Sequence, residues 1–351
     1  MGSGARSGNL DLAAQHPPAY KVGMYVVTGG AGFIGSNIVA GLEQLELGPV
    51  AVIDRMSDGD KWRNLAKREL AAVERPRNTL NFLDRNAGEV KAVIHMGAIS
   101  ATTERDVDLI VENNFRLSVK LWDWCAEQGV PLIYASSAAT YGDGSQGFDD
   151  DGAIDGLAKL RPLNPYGWSK HLFDRRVARI VADNGPTPPQ WAGLKFFNVY
   201  GPNEGHKGRM KSVVAQVYPR AVAGDAAVLF KSHNPDYADG GQLRDFIWVD
   251  DCVDMVTWLL ETPGVSGLFN CGTGKARSFA DLATAVYRAL GRDPQIDYVE
   301  TPEDIRDKYQ YFTEASMDRI RAAGYTKPMT ELEDGVIKYV CDFLHTDDVY
   351  R

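Results

Sequence analysis

This 351-residue chain has little that suits a disulfide framework or a metal centre. Its four cysteines, Cys125, Cys252, Cys271 and Cys341, are scattered with no C-x-x-C pair, which predicts buried free thiols in a reducing cytoplasm. The six histidines show no H-x-x-x-H or similar spacing, so no metal site is expected. No uninterrupted apolar stretch is long enough to span a bilayer, which predicts no membrane partner. Basic charge is in deficit. A net charge of −9 argues against nucleic-acid binding, which relies on Lys and Arg neutralising phosphates. Anionic ligands must then be met by local basic residues and helix ends. No repeat of fixed period is visible. Residues 1–23 are small, polar and Gly/Ser/Pro-bearing, without the apolar stretch of a secretory signal, and are expected to be a flexible N-terminal tail.

Alternation of short apolar runs with helix-length segments is what remains. Strands are predicted at Met24–Val27, Val50–Ile53, Ala92–His95, Leu132–Ala135 and Leu194–Phe197, with helices at Phe33–Leu47, Asp106–Glu127 and Tyr166–Val181. This pattern predicts an α/β fold, a Rossmann-like doubly wound parallel sheet with a smaller, interleaved C-terminal substrate lobe. The expected division is a dinucleotide-binding domain over 24–200, with a segment near 244–262 returning to it, and a lobe mainly from 201–345. Phe246–Val249 and a helix from about Asp251 to Glu261 form that segment, and Ser278 with Asp281 reads as a helix start. Asp250-Asp251 reads as a helix cap rather than a metal pair.

Directly after the first strand stands Thr28-Gly29-Gly30-Ala31-Gly32-Phe33-Ile34-Gly35. Gly29, Gly32 and Gly35 let the chain turn sharply, bring backbone N–H groups against a pyrophosphate and aim a helix N-terminus at it. About twenty residues on, Asp54 ends the second strand, where a ribose hydroxyl needs an acceptor. Asp54 alone suggests NAD. Arg55 and Lys61 supply the positive charge that a 2′-phosphate needs, so NADP is expected ahead of NAD, the alternative being that Arg55 stacks on adenine. Met96, Gly97, Ala98 and Ser100 follow another strand and would lie over the cofactor, although Met96 equally fits core packing.

In Tyr166-Gly167-Trp168-Ser169-Lys170, residues four apart share one helix face. A tyrosine ordinarily titrates near pH ~10, and an adjacent ammonium is expected to pull Tyr166 down toward working pH. Ser137 ends a strand at the sheet's carboxyl edge and can hydrogen-bond a substrate oxygen beside Tyr166. Arg244 suits a diphosphate, because its fork makes paired charge-assisted bonds.

With these residues in place, the chain resembles the extended short-chain dehydrogenase/reductase family over about Met24 to Leu344. Thr28–Asn37, Tyr134–Gly142, Phe197–Gly208, Arg244-Asp245-Phe246 and Ala322-Ala323-Gly324-Tyr325 look like the ADP-L-glycero-D-manno-heptose 6-epimerases within it. The resemblance implies an ADP-heptose substrate, bound NADP, a homo-oligomer and a role in lipopolysaccharide precursor synthesis. It implies that Phe33, Ile34, Asn113 and Lys170 bind cofactor, that Asn198, His206 and Tyr309 bind substrate, and that Lys207 is a second acid/base. Oxidation at C6, rotation about C5–C6 and re-reduction place the substrate oxygen in two positions, one for Tyr166 and one for Lys207. Lys207 then needs a pKa lowered by burial or by a neighbouring cation such as Arg209 or Lys211.

Three rivals stand beside this reading. A 4,6-dehydratase needs an acid after the active-site hydroxyl, where Ala138-Ala139 stand. A UDP-sugar 4-epimerase needs no second base. A non-catalytic NADP-binding protein retains the glycine loop but ordinarily loses Tyr166 or Lys170 of the pair.

Overall fold

A computed structural model of the chain describes residues 23–57, 59–306 and 310–351. Most of the tail expected at 1–23 therefore lies outside the described residues, as does Tyr309.

Seven short, fully or largely apolar runs form one parallel sheet. They are β1 (Met24–Thr28), β2 (Val50–Ile53), β3 (Ala72–Glu74), β4 (Val90–His95), β5 (Leu132–Ser137), β6 (Trp191–Phe196) and β10 (Gly267–Cys271). Their spatial order is β3-β2-β1-β4-β5-β6-β10, with every pairing parallel. β1, β2 and the β4 core are buried throughout, as strands covered by helices on both faces must be. Strand order reverses between β1 and β4, and in such folds a ligand crevice opens at the carboxyl ends of the strands beside that point. The glycine loop leaves β1 there, and Met96-Gly97 leaves β4. An added Cβ at Gly29 would stand 2.6 Å from the Gly97 backbone, so the two loops touch.

The flanking helices are α1 (Phe33–Gln44), α2 (Thr79–Arg85), α3 (Val107–Ile110), α4 (Leu117–Gln128), α5 (Ile154–Lys159), α6 (Pro165–Ala182) and α8 (Val249–Glu261). The helix expected over Asp106–Glu127 exists with a difference: a π segment, Val111–Arg116, joins α3 to α4. Side chains take up carbonyls around its wider turn, Asn113 donating to Leu109 and Ser118 to Asn114. Asn114, buried within it, bonds both the N–H and the carbonyl of Ile99 and the hydroxyl of Ser169. α8 lies close against α1: a Cβ at Gly41 would stand 2.3 Å from Val253 Cγ1.

A second hydrophobic core gathers β7 (Asn198–Tyr200), α7 (Val213–Ala223), β8 (Ala227–Phe230), β9 (Leu243–Trp248), α9 (Phe279–Ala289) and α12 (Leu332–Tyr339). The intervening elements are β11 (Ala276–Ser278), β12 (Ile296–Val299), α10 (Glu303–Arg306) and α11 (Asp318–Ala322). β11-β9-β7 makes a small mixed sheet and β12-β8 a parallel pair. Phe33, at the start of α1, belongs to this second core, so the glycine loop sits where the two cores meet.

Ser278 and Asp281 form a reciprocal capping box at the start of α9. The capping expected of Asp250-Asp251 is not seen. Trp248 is the N-cap of α8 and makes no side-chain cap bond. Asp251 instead accepts from the amide and hydroxyl of Thr330, while Asp250 pairs with Arg351. Three cysteines are buried free thiols, but Cys341 is exposed, because its α12 continuation lies at the surface. Among the described residues no helix is long and apolar enough to cross a membrane, and no cluster could hold a metal ion.

Candidate active site

Gly29 adopts a positive φ of 66°, which closes the turn after β1. A Cβ at Gly35 would stand 2.2 Å from the Gly29 carbonyl oxygen, so this cradle admits glycine alone. Gly32 caps α1 without any side-chain bond, leaving the first-turn amides of Phe33, Ile34 and Gly35 directed at the crevice. That geometry fits the pyrophosphate of a dinucleotide.

Asp54 stands at the end of β2, as expected for a ribose acceptor, but its oxygens are already engaged. Oδ2 accepts from the Ala31 amide at 2.9 Å, and Oδ1 accepts from Lys61 Nζ at 2.6 Å. The carboxylate therefore braces the glycine loop, and Lys61 neutralises the charge that would repel a 2′-phosphate. A cavity of about 1000 Å³ opens beside this pair. Arg55, Lys61 and Asn113 line it, together with Arg75 and Arg77, which the sequence reading passed over. Their signal was two arginines flanking Pro76 directly after β3, a strand too short to stand out.

A second cavity of about 470 Å³ adjoins the first. Gly29, Asp54, Lys61, Gly97, Ala98 and His206 line both, so the two form one continuous trough. Phe33, Ile34, Met96, Ser100, Ser137, Tyr166, Lys170 and Lys207 line the second. Tyr166 and Lys207, which are 41 positions apart in sequence and come from α6 and from a 3₁₀ turn (Gly205–Met210), thus share one cleft.

α6 begins with Asn164 accepting from the Gly167 amide and Pro165 in its first turn, a strong local start signal. Lys170 Nζ donates to the Ala135 carbonyl at 2.7 Å, and burial lowers its pKa to about 8. Tyr166 corrects an expectation. Its pKa is raised by burial, with a hydrogen bond to Ser137 opposing, while the Lys170 ammonium is directed at the Ala135 carbonyl. Ser137 Oγ also accepts from the Ala139 amide at 3.1 Å, which holds the hydroxyl at the end of β5.

Lys207 has its pKa lowered, by burial first, while the charge of Glu204 works against the shift. Of the two expected causes burial is the one that acts, rather than a neighbouring cation such as Arg209 or Lys211. The ammonium lies over the Phe33 ring at 5.1 Å from its centre, which brings it to the glycine loop. Glu204 is the anchor that the sequence did not reveal. Buried, it accepts from Ser212 at the start of α7 and from Tyr339 OH at 3.0 Å. Asn64 adds a second brace, donating to the carbonyls of Ala31 and Asn203 beside His206 Nδ1. His206, expected on the substrate, stands on the seam between the cavities.

Two expected substrate contacts line neither cavity. Asn198 is exposed on β7, and Arg244 on β9 stacks over Phe279 at 5.6 Å while donating to the carbonyls of Leu243 and Gln310. Both stand on the small sheet where β7 pairs with β9, and of β7 it is Val199 that reaches the second cavity.

Comparison with known proteins agrees with this geometry. The NAD dependent epimerase/dehydratase family matches residues 25–272. A protein of Nitratidesulfovibrio vulgaris (strain DP4) named ADP-L-glycero-D-manno-heptose-6-epimerase is 50% identical over 329 residues, covering 93% of this chain and 100% of its own. Its namesake from Fusobacterium nucleatum is 46% identical over 335 residues, again covering 93% and 100%. Among solved structures, the Helicobacter pylori ADP-L-glycero-D-manno-heptose-6-epimerase superposes with a TM-score of 0.75 at 26% identity, covering 92% of this chain and 96% of that one. A Thermus thermophilus UDP-glucose 4-epimerase in complex with NAD gives 0.68 at 25% identity, covering 91% and 98%. By fold, cleft and relatives, the chain belongs to the NAD dependent epimerase/dehydratase family, as a sugar-nucleotide epimerase similar to the ADP-L-glycero-D-manno-heptose-6-epimerases.

Proposed function

We propose that this protein inverts C6 of an ADP-linked heptose, converting the D-glycero to the L-glycero form with tightly bound NADP. The observation that carries the reading is Tyr166 and Lys207 lining one cleft with oppositely displaced proton affinities. A bound nicotinamide dinucleotide supplies reversible hydride removal and return at the carbinol carbon. The first-turn amides of α1 would hold its pyrophosphate, and Arg55, Arg75 and Arg77 would meet a 2′-phosphate.

The opposite displacements support a division of the proton roles, since paired groups pushed apart in pKa divide acid from base. Lys207, whose neutral amine is favoured by burial, takes the proton from the C6 hydroxyl. Tyr166, held as a phenol, gives its proton to the oxygen once rotation about C5–C6 has carried it to the second position. Ser137 hydrogen-bonds that oxygen there, and Lys170 holds the dinucleotide beside Tyr166. The reverse reaction exchanges the roles. Ala138-Ala139 in the turn after Ser137 offer no acid for a dehydration. The product is a lipopolysaccharide precursor, the compartment the cytoplasm and the working form a homo-oligomer.

Incubation with ADP-D-glycero-D-manno-heptose or UDP-galactose, followed by chromatography, tests the reading. Epimerisation of the heptose alone is expected, with Tyr166→Phe and Lys207→Met each slowing it by on the order of 10²–10⁴-fold. Conversion of UDP-galactose, or full activity in Lys207→Met, would overturn it.

A further inference from the structure

Beneath the cleft lies an ion pair sealed from water on both sides. Lys195 of β6 and Asp174 of α6 meet at 2.8 Å, and both side chains have 0% exposure. Such a pair is a poor source of stability, because desolvating two charges offsets their attraction and apolar residues of similar volume serve as well or better. Its connections suggest a different purpose. Asp174 Oδ2 also accepts from Ser136 Oγ at 2.6 Å, and Oδ1 accepts from Tyr134 OH at 3.3 Å. Lys195 Nζ donates in addition to Thr140 Oγ1 at 2.8 Å and lies over the Tyr141 ring. Thr140 in turn donates to the carbonyl oxygen of Ser137 at 2.8 Å.

Spacing turns this network toward the chemistry. Tyr166, Lys170 and Asp174 recur every four residues along α6 and so share the face turned to β5. Asp174 binds Tyr134 and Ser136, and Lys170 binds Ala135 between them. The next residue of β5 is Ser137, the partner of Tyr166. The helix is thus stitched to three successive strand residues, and one more step brings the stitching to the reacting hydroxyls. An apolar contact tolerates sliding and rotation, whereas these directional bonds do not.

We propose that Asp174 and Lys195 are positioning residues for the epimerisation, their ion pair setting the rotation of α6 so that Tyr166 and Lys170 stand beside Ser137. The inference rests on the proposed roles of Tyr166 and Lys170. The groups around Lys170 are Tyr166 and Asp174 on its own helix, Tyr134 on β5, Lys195 on β6, His95 on β4 and Lys207 across the cleft. Of these, Asp174 favours the charged form of Lys170.

Asp174→Asn alone would strand a buried ammonium and can fail to fold, so the decisive variant is Asp174→Leu with Lys195→Met in the full-length chain. Removal of both charges leaves an apolar pair, and the melting temperature should stay within a few degrees of the parent, about 5 °C or less. Turnover should nevertheless fall at least about tenfold, with KM changed by less than about threefold. NMR of ¹³C-labelled lysine, with the Lys170 resonance assigned through Lys170→Arg, reads the site without any turnover. Its titration midpoint, about 8 in the parent, should drop in the double variant. Parental turnover or an unchanged Lys170 midpoint would overturn the inference. A parent that does not act on the heptose overturns the proposed function instead, and the titration then decides this inference alone.

Discussion

At the scale of single residues, three arginines and one lysine line the cavity proposed to take the cofactor's far end. Because Lys61 already neutralises Asp54, the first cavity is left with Arg55, Arg75 and Arg77 against the carboxylates of Asp60 and Glu74, a surplus of positive charge. Replacing Arg75 and Arg77 by glutamate should weaken NADP binding at least about tenfold while NAD changes by less than about threefold, as isothermal titration calorimetry would show. Equal losses for both cofactors would remove the arginines from 2′-phosphate selection. Lys170 carries its charge below about pH 8 and loses it as pH rises through that value. Affinity for the anionic dinucleotide should therefore fall between pH 7 and 9.5 in the parent and stay flat in Lys170→Arg, whose guanidinium does not titrate there, the range being roughly centred on that pKa. The glycines, Asp54, Tyr166 and Lys170 were legible in sequence because each sits at a fixed offset from a strand end or within one helix turn. Arg75, Arg77, Glu204 and Asn64 were not, since a lone polar residue in a loop shows nothing until its partner arrives from elsewhere in the chain.

Elements were legible where a local signal marks their ends. The Ser278–Asp281 capping box is one, with its two bonds at 2.9 and 3.1 Å. Ser278→Ala should cost about 1 kcal/mol, seen as a lower midpoint in denaturant without a change of slope. An unchanged midpoint would mean that tertiary contacts alone hold the start of α9. The strand at Val50–Ile53 coincides residue for residue with its expectation. By contrast the π segment at Val111–Arg116 has no marker in sequence, as its register follows from Asn114 bonding Ile99. Asp250-Asp251 shows the reverse error. Two acids at a helix start look like caps, yet a neighbouring loop at Thr330 competes successfully for Asp251.

Across the whole molecule, buried charge links stability to pH. Asp150 is buried beneath Asn270, whose amide it binds at 2.7 Å, and its pKa is raised from 3.8 to about 6, chiefly by burial. A raised carboxyl favours the folded state below its unfolded pKa, and this contribution is lost as pH rises through about 6. Asp150→Asn should therefore leave the melting temperature unchanged near pH 4 and raise it by about 1–3 °C at pH 8. A gain that is equal at both values would exclude titration of Asp150 as the cause. His95, bonded between Thr28 and Ser118 and lowered to about 3, works with the opposite sign: its contribution is present above pH 6.5 and fades on acidification.

The chain's own short-range chemistry was enough for the parallel sheet, the glycine turn and the Tyr166–Lys170 pair, because strand period, helix period and glycine's backbone freedom act within a few residues of one another. What only folding decided is which distant groups meet: Lys207 over Phe33, Lys195 under α6, and Asn198 and Arg244 on one small sheet. Those juxtapositions, and the shifted proton affinities that follow from them, depend on burial and on charges contributed by separate elements, neither of which exists until the two cores have packed together.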